Sequence, residues 1–150
     1  MTEEDRELIA YCGLYCSDCI NYKGEIADLA RDLRKKLREA KFDRVSKGLV
    51  KYFKQFDNYE TCYEVLGAMV RLRCNRACLN GGGNPSCKIR RCCQKKEIRG
   101  CWECDEFETC EKFDFLIPIH GDANLKNLKK IKKKGQDKFI EGKRDWQTLE

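Results

Sequence analysis

Residues 74–110 read CNRACLNGGGNPSCKIRRCCQKKEIRGCWECDEFETC, eight cysteines in 37 positions with a run of glycines between the second and third. Apolar aliphatic residues nearly vanish from this stretch, so hydrophobic burial alone cannot fold it. It needs cross-links or metal ions, and that requirement sets the fold class. The spacing is C74-x3-C78-x8-C87-x4-C92-C93-x7-C101-x2-C104-x5-C110. Ligands two to four residues apart close on one ion without straining the backbone. Structural zinc takes four such ligands in a tetrahedron, and a cubane iron–sulfur cluster also takes four thiolates. Thiolate softness suits both.

Upstream, CGLYCSDC (12–19) adds a C12-x3-C16-x2-C19 triplet, whose fourth ligand must come from afar and would staple the first segment to the cysteine-rich one. The same spacing holds the cluster of radical enzymes that use S-adenosylmethionine. Those need a β/α barrel, and after Cys19 this chain runs straight into helical patterns instead.

Not every cysteine reads as a ligand. Cys62 falls on the inward stripe of a helix and reads as a small buried hydrophobe. Cys92 and Cys93 diverge by about 100° on a helix, so one of them is left out. Cys92 is favoured because it pairs with Cys87 across four residues. The metal-ligand candidates are Cys12, Cys16, Cys19, Cys74, Cys78, Cys87, Cys92, Cys101, Cys104 and Cys110. Ten is not a multiple of four, so either two sites use eight of them, or a third recruits Cys93, Cys62, His120 or a solvent ligand. His120, the only histidine, reads as structural. The expected cofactor is zinc, two to three ions, with an iron–sulfur cluster as the alternative.

Around the cysteines the chain reads as small and mainly α, a single cysteine-rich metal-binding domain over 1–150. A helical bundle is expected over about 24–72, the metal-stapled irregular segment over 74–118 with 12–19 docked on it, and a Lys-rich helix within a C-terminal tail, 121–150. GEIADLARDLRKKLREAKF places Ile26, Leu29, Ala30, Leu33 and Leu37 at helical spacing. A second helix is expected from a cap at Asp43 through Val45, Leu49, Phe53 and Phe56. A third runs over Tyr59–Leu72, with Cys62, Val65, Leu66, Met69 and Val70 inward. LIAYC reads as a short strand or extended entry, KIRRCCQKKEI as a short helix, and FDFLIPI as a connector, since Pro118 argues against a central strand. Asp122 caps the last helix, ANLKNLKKIKKKG, with Leu125, Leu128 and Ile131 on one face and Gly135 as its stop.

Composition bounds the rest. Hydrophobic residues make up 41% of 150, but 12 of them are cysteines, so the conventional core is lean. MTEEDRELIAYCG lacks the apolar region of a signal peptide, and no run of about 18 apolar residues exists to span a membrane. The chain therefore reads as cytoplasmic, where clustered cysteines stay reduced and favour metals over disulfides. The formal charge of +6 is offset by thiolates in any metal site, so it is weak support for nucleic acid.

The order CGLYCSDC, CNRAC, then CKIRRCCQKKEIRGCWECDEFETCEKF, then a Lys-rich helix ending at Gly135, resembles domain-of-unknown-function family 3795. This is a group of small cysteine-rich proteins of anaerobic bacteria and archaea. The resemblance implies a cytosolic metal-binding protein with no assigned reaction. Family-like positions are Cys12, Gly13, Cys16, Cys19, Cys74, Cys78, Cys87, Cys92, Cys101, Cys104 and Cys110. The chain departs from the pattern at Arg76 and Ala77, where a glycine is usual, and at Thr109, where a proline is.

Other constellations carry less. NGGGN (80–84) lacks the GK[ST] ending and the preceding strand of a phosphate loop, and reads as a slack turn between ligands. The six lysines of KNLKKIKKKG read as a solvated face without the aromatics of a base-stacking platform. No catalytic or cofactor-binding set is assigned, and enzymatic activity stays open. The leading expectation is a structural zinc module that presents a surface to a protein partner. The alternatives are an iron–sulfur protein in electron transfer or cluster delivery, and nucleic-acid binding through the Lys-rich helix.

Overall fold

A computed structural model describes residues 1–148. Among these the fold is mainly α, with one isolated antiparallel bridge, Ile9 to Tyr15, in place of any strand. The helices are α1 (Glu3–Glu7), α2 (Ile20–Lys23), α3 (Glu25–Glu39), α4 (Phe42–Leu49), α5 (Tyr59–Arg71), α6 (Lys88–Lys95), α7 (Ile117–His120), α8 (Ala123–Lys134) and α9 (Gln136–Glu141). No helix among the described residues is long and apolar enough to cross a membrane. The chain divides into two compact units, Lys23–Cys74 and a discontinuous one made of Met1–Tyr22 with the chain from Asn75 onward.

In the Lys23–Cys74 unit, α3 carries Glu25 and Asp28 in its first turn and Lys36 and Arg38 in its last, each matched to the helix dipole. α3 and α5 run antiparallel. Arg38 donates to Tyr63 Oη (2.9 Å) at one end, and Arg73 meets Asp28 (2.6 Å) at the other. The buried residues are small, Ala27 and Ala30 on α3 and Gly67 on α5, and the Arg34 guanidinium packs over Gly67. The expected apolar stripes are present at the right period, but their large members lie outside it. Ile26, Leu29 and Leu33 on α3 and Val65 on α5 are exposed, Leu29 at 70%. Cys62 is exposed as well, which corrects its reading as a buried hydrophobe. The second helix starts at Phe42, behind Lys41 in a left-handed conformation (φ 50°), without a side-chain cap from Asp43.

The discontinuous unit holds the core. Ile9, Tyr15, Ile89, Trp102, Phe107, Phe113, Leu128, Ile131 and Phe139 pack together with Cys93 and Cys101. α8 turns Leu128 and Ile131 inward as its pattern requires, with Leu125 at the edge. It stops at Gly135, whose φ of 84° favours glycine. α9 then closes on α1 through a two-pronged pair, Arg6 to both carboxylate oxygens of Asp137 at 2.8 and 3.0 Å. The FDFLIPI connector winds as a 3-10 turn, Glu111–Leu116, followed by α7, where Pro118 occupies the first turn and needs no N–H partner. Asp122 precedes α8 without a side-chain cap bond, and its carboxylate instead accepts from Thr148 Oγ1 (2.6 Å).

His120 is structural, as its solitary occurrence suggests. It is buried, its Nδ1 lies 2.7 Å from Trp146 O, and its ring meets the Trp146 ring edge-on.

Candidate metal centre

The CGLYCSDC segment is shaped by the bridge and by three local bonds. Ala10 N–H donates to Leu14 O (2.8 Å), Gly13 N–H to Ala10 O (2.9 Å) and Cys16 N–H to Leu8 O (2.8 Å). Gly13 sits at φ +84°, and a Cβ there would come within 2.9 Å of Leu128 Cγ. The turn therefore requires glycine twice over, for its backbone and for its close approach to α8. Cys101 N–H donates to Tyr11 O (2.9 Å) and Asn124 Nδ2 to Cys12 O (3.0 Å), which fixes the segment against the later cysteines and α8.

Two thiol-lined cavities result. The first, about 140 Å³, is walled by Cys12, Cys78, Cys87, Leu14, Ile89 and Arg90. Cys16 joins it through Cys78, whose backbone N–H donates to Cys16 Sγ at 3.3 Å. The neighbouring Cys78 thiol and its backbone N–H draw the Cys16 thiol down, while Cys16 and burial push the Cys78 thiol up. Burial pushes the Cys12 thiol up to about 12, and the neighbouring Cys78 and Cys87 add to the rise.

Arg90 is the unexpected member. It is 8% exposed, and its guanidinium donates to three backbone carbonyls, Cys78 O (2.8 Å), Gly82 O (2.8 Å) and Asn84 O (2.5 Å). The NGGGN run is thus a clamped loop, not a slack one. Gly82 N–H returns to Ala77 O (2.9 Å), and a Cβ on Gly82 would collide with Arg76 O. No carboxylate lies within ion-pair distance of Arg90 among the described residues. In sequence Arg90 is one base in a basic run. Its place three residues after Cys87, one turn into α6, was the only signal that could have singled it out.

The second cavity, about 60 Å³, is lined by Cys92, Cys93, Cys101, Cys104 and Cys110 with Lys96 and Phe107. Cys93 Sγ lies 3.5 Å from Cys101 Sγ. A hydrogen bond from Cys101 and the nearby Lys96 charge draw the Cys93 thiol down, while the same bond and burial push Cys101 up. Lys96 Nζ reaches Cys104 Sγ at 3.4 Å. It is Cys93 that is buried and touches another sulfur, while Cys92 stays half-exposed on the cavity wall. Cys19 is half-buried beside Cys16, and Cys74 closes the Lys23–Cys74 unit with its sulfur 3.9 Å from Leu72 O.

The clustered cysteines carry thiols, not disulfides. Among the described residues, no three Cys, His, Asp or Glu side chains converge on one point as a finished metal site. The donor set nevertheless fits a soft cation: thiols at both cavities, a hydrogen-bonded cysteine pair at each, and a cation beside each.

The Lys-rich helix is largely neutralised from within. Lys126 pairs with Asp122 (3.1 Å), Lys129 with Glu108 (2.9 Å), Lys130 with Asp145 (2.5 Å) and Lys132 with Asp105 (3.2 Å). The acids of ECDEFETC therefore face α8 more than the basic α6, where one pair forms, Lys96 to Glu106 at 3.4 Å.

The chain belongs to the family described as "Protein of unknown function (DUF3795)", which matches residues 8–115. The match takes in both cysteine clusters and ends before α7. No curated protein and no solved structure matches the chain.

Proposed function

We propose that this family member is a zinc-organised protein-interaction module, in which thiolate-bound zinc folds the cysteine-rich segment and staples CGLYCSDC to it. The observation that carries this reading is Arg90. A buried cation is costly unless anions compensate it. Among the described residues the hydrogen bonds of Arg90 go to carbonyl dipoles, and the thiols of Cys12, Cys78 and Cys87 line the same cavity. Zinc held by four thiolates carries a net charge of −2, so a neighbouring guanidinium offsets part of it. Cys12, Cys16, Cys78 and Cys87 would hold the ion, and Arg90 would keep the 78–87 loop in register around it. The role of such an ion is structural: it closes a segment that has too little apolar surface to close itself.

A partner surface is supported by the exposed stripe Ile26, Leu29 and Leu33. The internal pairing of four lysines on α8 favours this reading over nucleic-acid binding.

Anaerobic purification, followed by elemental analysis and an absorption spectrum on one sample, tests the proposal. A colourless protein carrying zinc is expected. A brown protein with matching iron and sulfide would replace zinc by an iron–sulfur cluster. A metal-free, fully folded protein whose cysteines all react with a thiol reagent would remove the metal reading altogether.

A further inference from the structure

Cys93 and Cys101 lie outside the cavity that Arg90 walls, and both are buried, at 1% and 9% exposure. Their sulfurs are 3.5 Å apart. Two thiolates on one tetrahedral zinc, each at a bond length of about 2.3 Å, stand roughly 3.8 Å from each other. The pair therefore already approximates one edge of such a tetrahedron. A cubane sets each thiolate on a separate iron, and so farther apart.

Cys104 and Cys110 complete the wall of the same cavity, whose 60 Å³ suits a single ion. Cys104 is delivered by a 3-10 turn, Cys101–Glu103, in which Cys104 N–H returns to Cys101 O at 3.0 Å. The identical device appears in the first cluster: the turn Cys16–Asp18 returns Cys19 N–H to Cys16 O at 2.9 Å. Each turn is braced by an arginine on its acid, Arg144 to Asp18 (2.7 Å) and Arg99 to Glu103 (2.8 Å). Each cavity also holds one cation beside its thiols, Arg90 in the first and Lys96 in the second. The turn and its brace are repeated, but the ligand set is not: Cys19, the counterpart of Cys104, does not line the first cavity.

We infer that Cys93, Cys101, Cys104 and Cys110 form a second zinc site, separate from that of Cys12, Cys16, Cys78 and Cys87, and that Cys92 is not among its ligands. Cys92 lines the cavity, but on α6 it points about 100° away from Cys93, the residue whose sulfur lies 3.5 Å from that of Cys101. The inference rests on the metal reading of the first cavity, and zinc stoichiometry separates the two.

The experiment is zinc per chain, by elemental analysis, on full-length wild type, Cys92→Ala and Cys93→Ala purified from zinc-supplemented cells. The expected values are two, two and one. Wild type with one zinc overturns the second site and leaves the first standing, while wild type with none overturns both. Cys92→Ala dropping to one while Cys93→Ala keeps two reverses the ligand assignment and overturns the inference. Should Cys93→Ala fail to accumulate, Co²⁺ titration of wild type supplies the reading. Two equivalents must each raise a tetrahedral thiolate spectrum, and saturation at one equivalent overturns the second site. Cys104→Ser, altered at a half-exposed position, must then lose one of the two equivalents, and retention of both overturns the assignment.

Discussion

Arg90→Met keeps the apolar stem of the side chain and removes its charge and its three hydrogen bonds, to the carbonyls of Cys78, Gly82 and Asn84. A hydrogen bond made by a charged group contributes about 1.5–3 kcal/mol net. The three summed at the low end, with some rehydration of the freed carbonyls, give on the order of 4 kcal/mol. That matches the roughly 3–5 kcal/mol lost when one member of a buried charge pair is removed. For a chain of this size, each kcal/mol moves the melting temperature by about 2–4 °C, so the zinc-loaded variant should melt roughly 8–16 °C lower. Zinc affinity, measured by competition with a chromophoric chelator, should fall as well. Arg90→Lys separates the two roles of the residue. It keeps a point charge but cannot span three acceptors, so its melting temperature should fall between the two while its zinc affinity stays near wild type. An Arg90→Met protein within about 1 kcal/mol of wild type, with unchanged zinc affinity, would refute the reasoning. An Arg90→Lys protein as poor at holding zinc as Arg90→Met would refute the counter-charge half of it.

Chelation of the zinc-loaded protein should unfold the 74–110 segment, since roughly 10 kcal/mol or more per structural zinc is comparable to the whole stability of an ordinary domain. Unchanged circular dichroism and melting after metal removal would contradict this. Gly13→Ala should cost about 1–3 kcal/mol, because its Cβ would enter Leu128 Cγ at 2.9 Å and its φ of +84° disfavours a side chain; a variant as stable as wild type in denaturant titration would count against the described turn. Arg6 holds the Asp137 carboxyl below its usual range. The pair therefore stabilises the fold at pH values above the ordinary carboxylate range and is lost as acid protonates Asp137 in the native state. The melting-temperature gap between wild type and Asp137→Asn should be widest near neutrality and close as the pH falls below about 4; a gap that grows on acidification would show the sign to be wrong.

Period and punctuation made most helices legible. Tyr59–Arg71, Lys88–Lys95 and the Gly135 stop follow from spacing alone. What periodicity cannot supply is the cover over a stripe. Ile26, Leu29 and Leu33 recur as a core face would, yet on α3 it is Ala27 and Ala30 that are buried and on α5 Gly67, over which the Arg34 guanidinium packs. Which of Cys92 and Cys93 is buried was equally out of reach. Both suit a helix, and only the packing of Ile89 and Phe107 decides which one turns inward. The lysines of α8 are solvated as read, five of the six being exposed, but their acidic partners could not be seen from spacing because Asp105, Glu108 and Asp145 lie elsewhere in the sequence.

The contact between Cys16 and Cys78 spans 62 positions, and the whole Lys23–Cys74 unit is threaded between them. During synthesis the first cluster therefore emerges long before its partner. At about 5–20 residues per second, Cys12, Cys16 and Cys19 wait roughly 3–12 s as reactive nascent thiols. In that window oxidation or capture of a wrong metal competes with correct closure. Loop-closure entropy rises only as the logarithm of length, so the inserted helices add little to the thermodynamic cost of joining the ends. Their effect is on timing. A shorter insert should raise the yield of correctly loaded protein under oxidising expression and leave the final fold's affinity for its metal nearly unchanged.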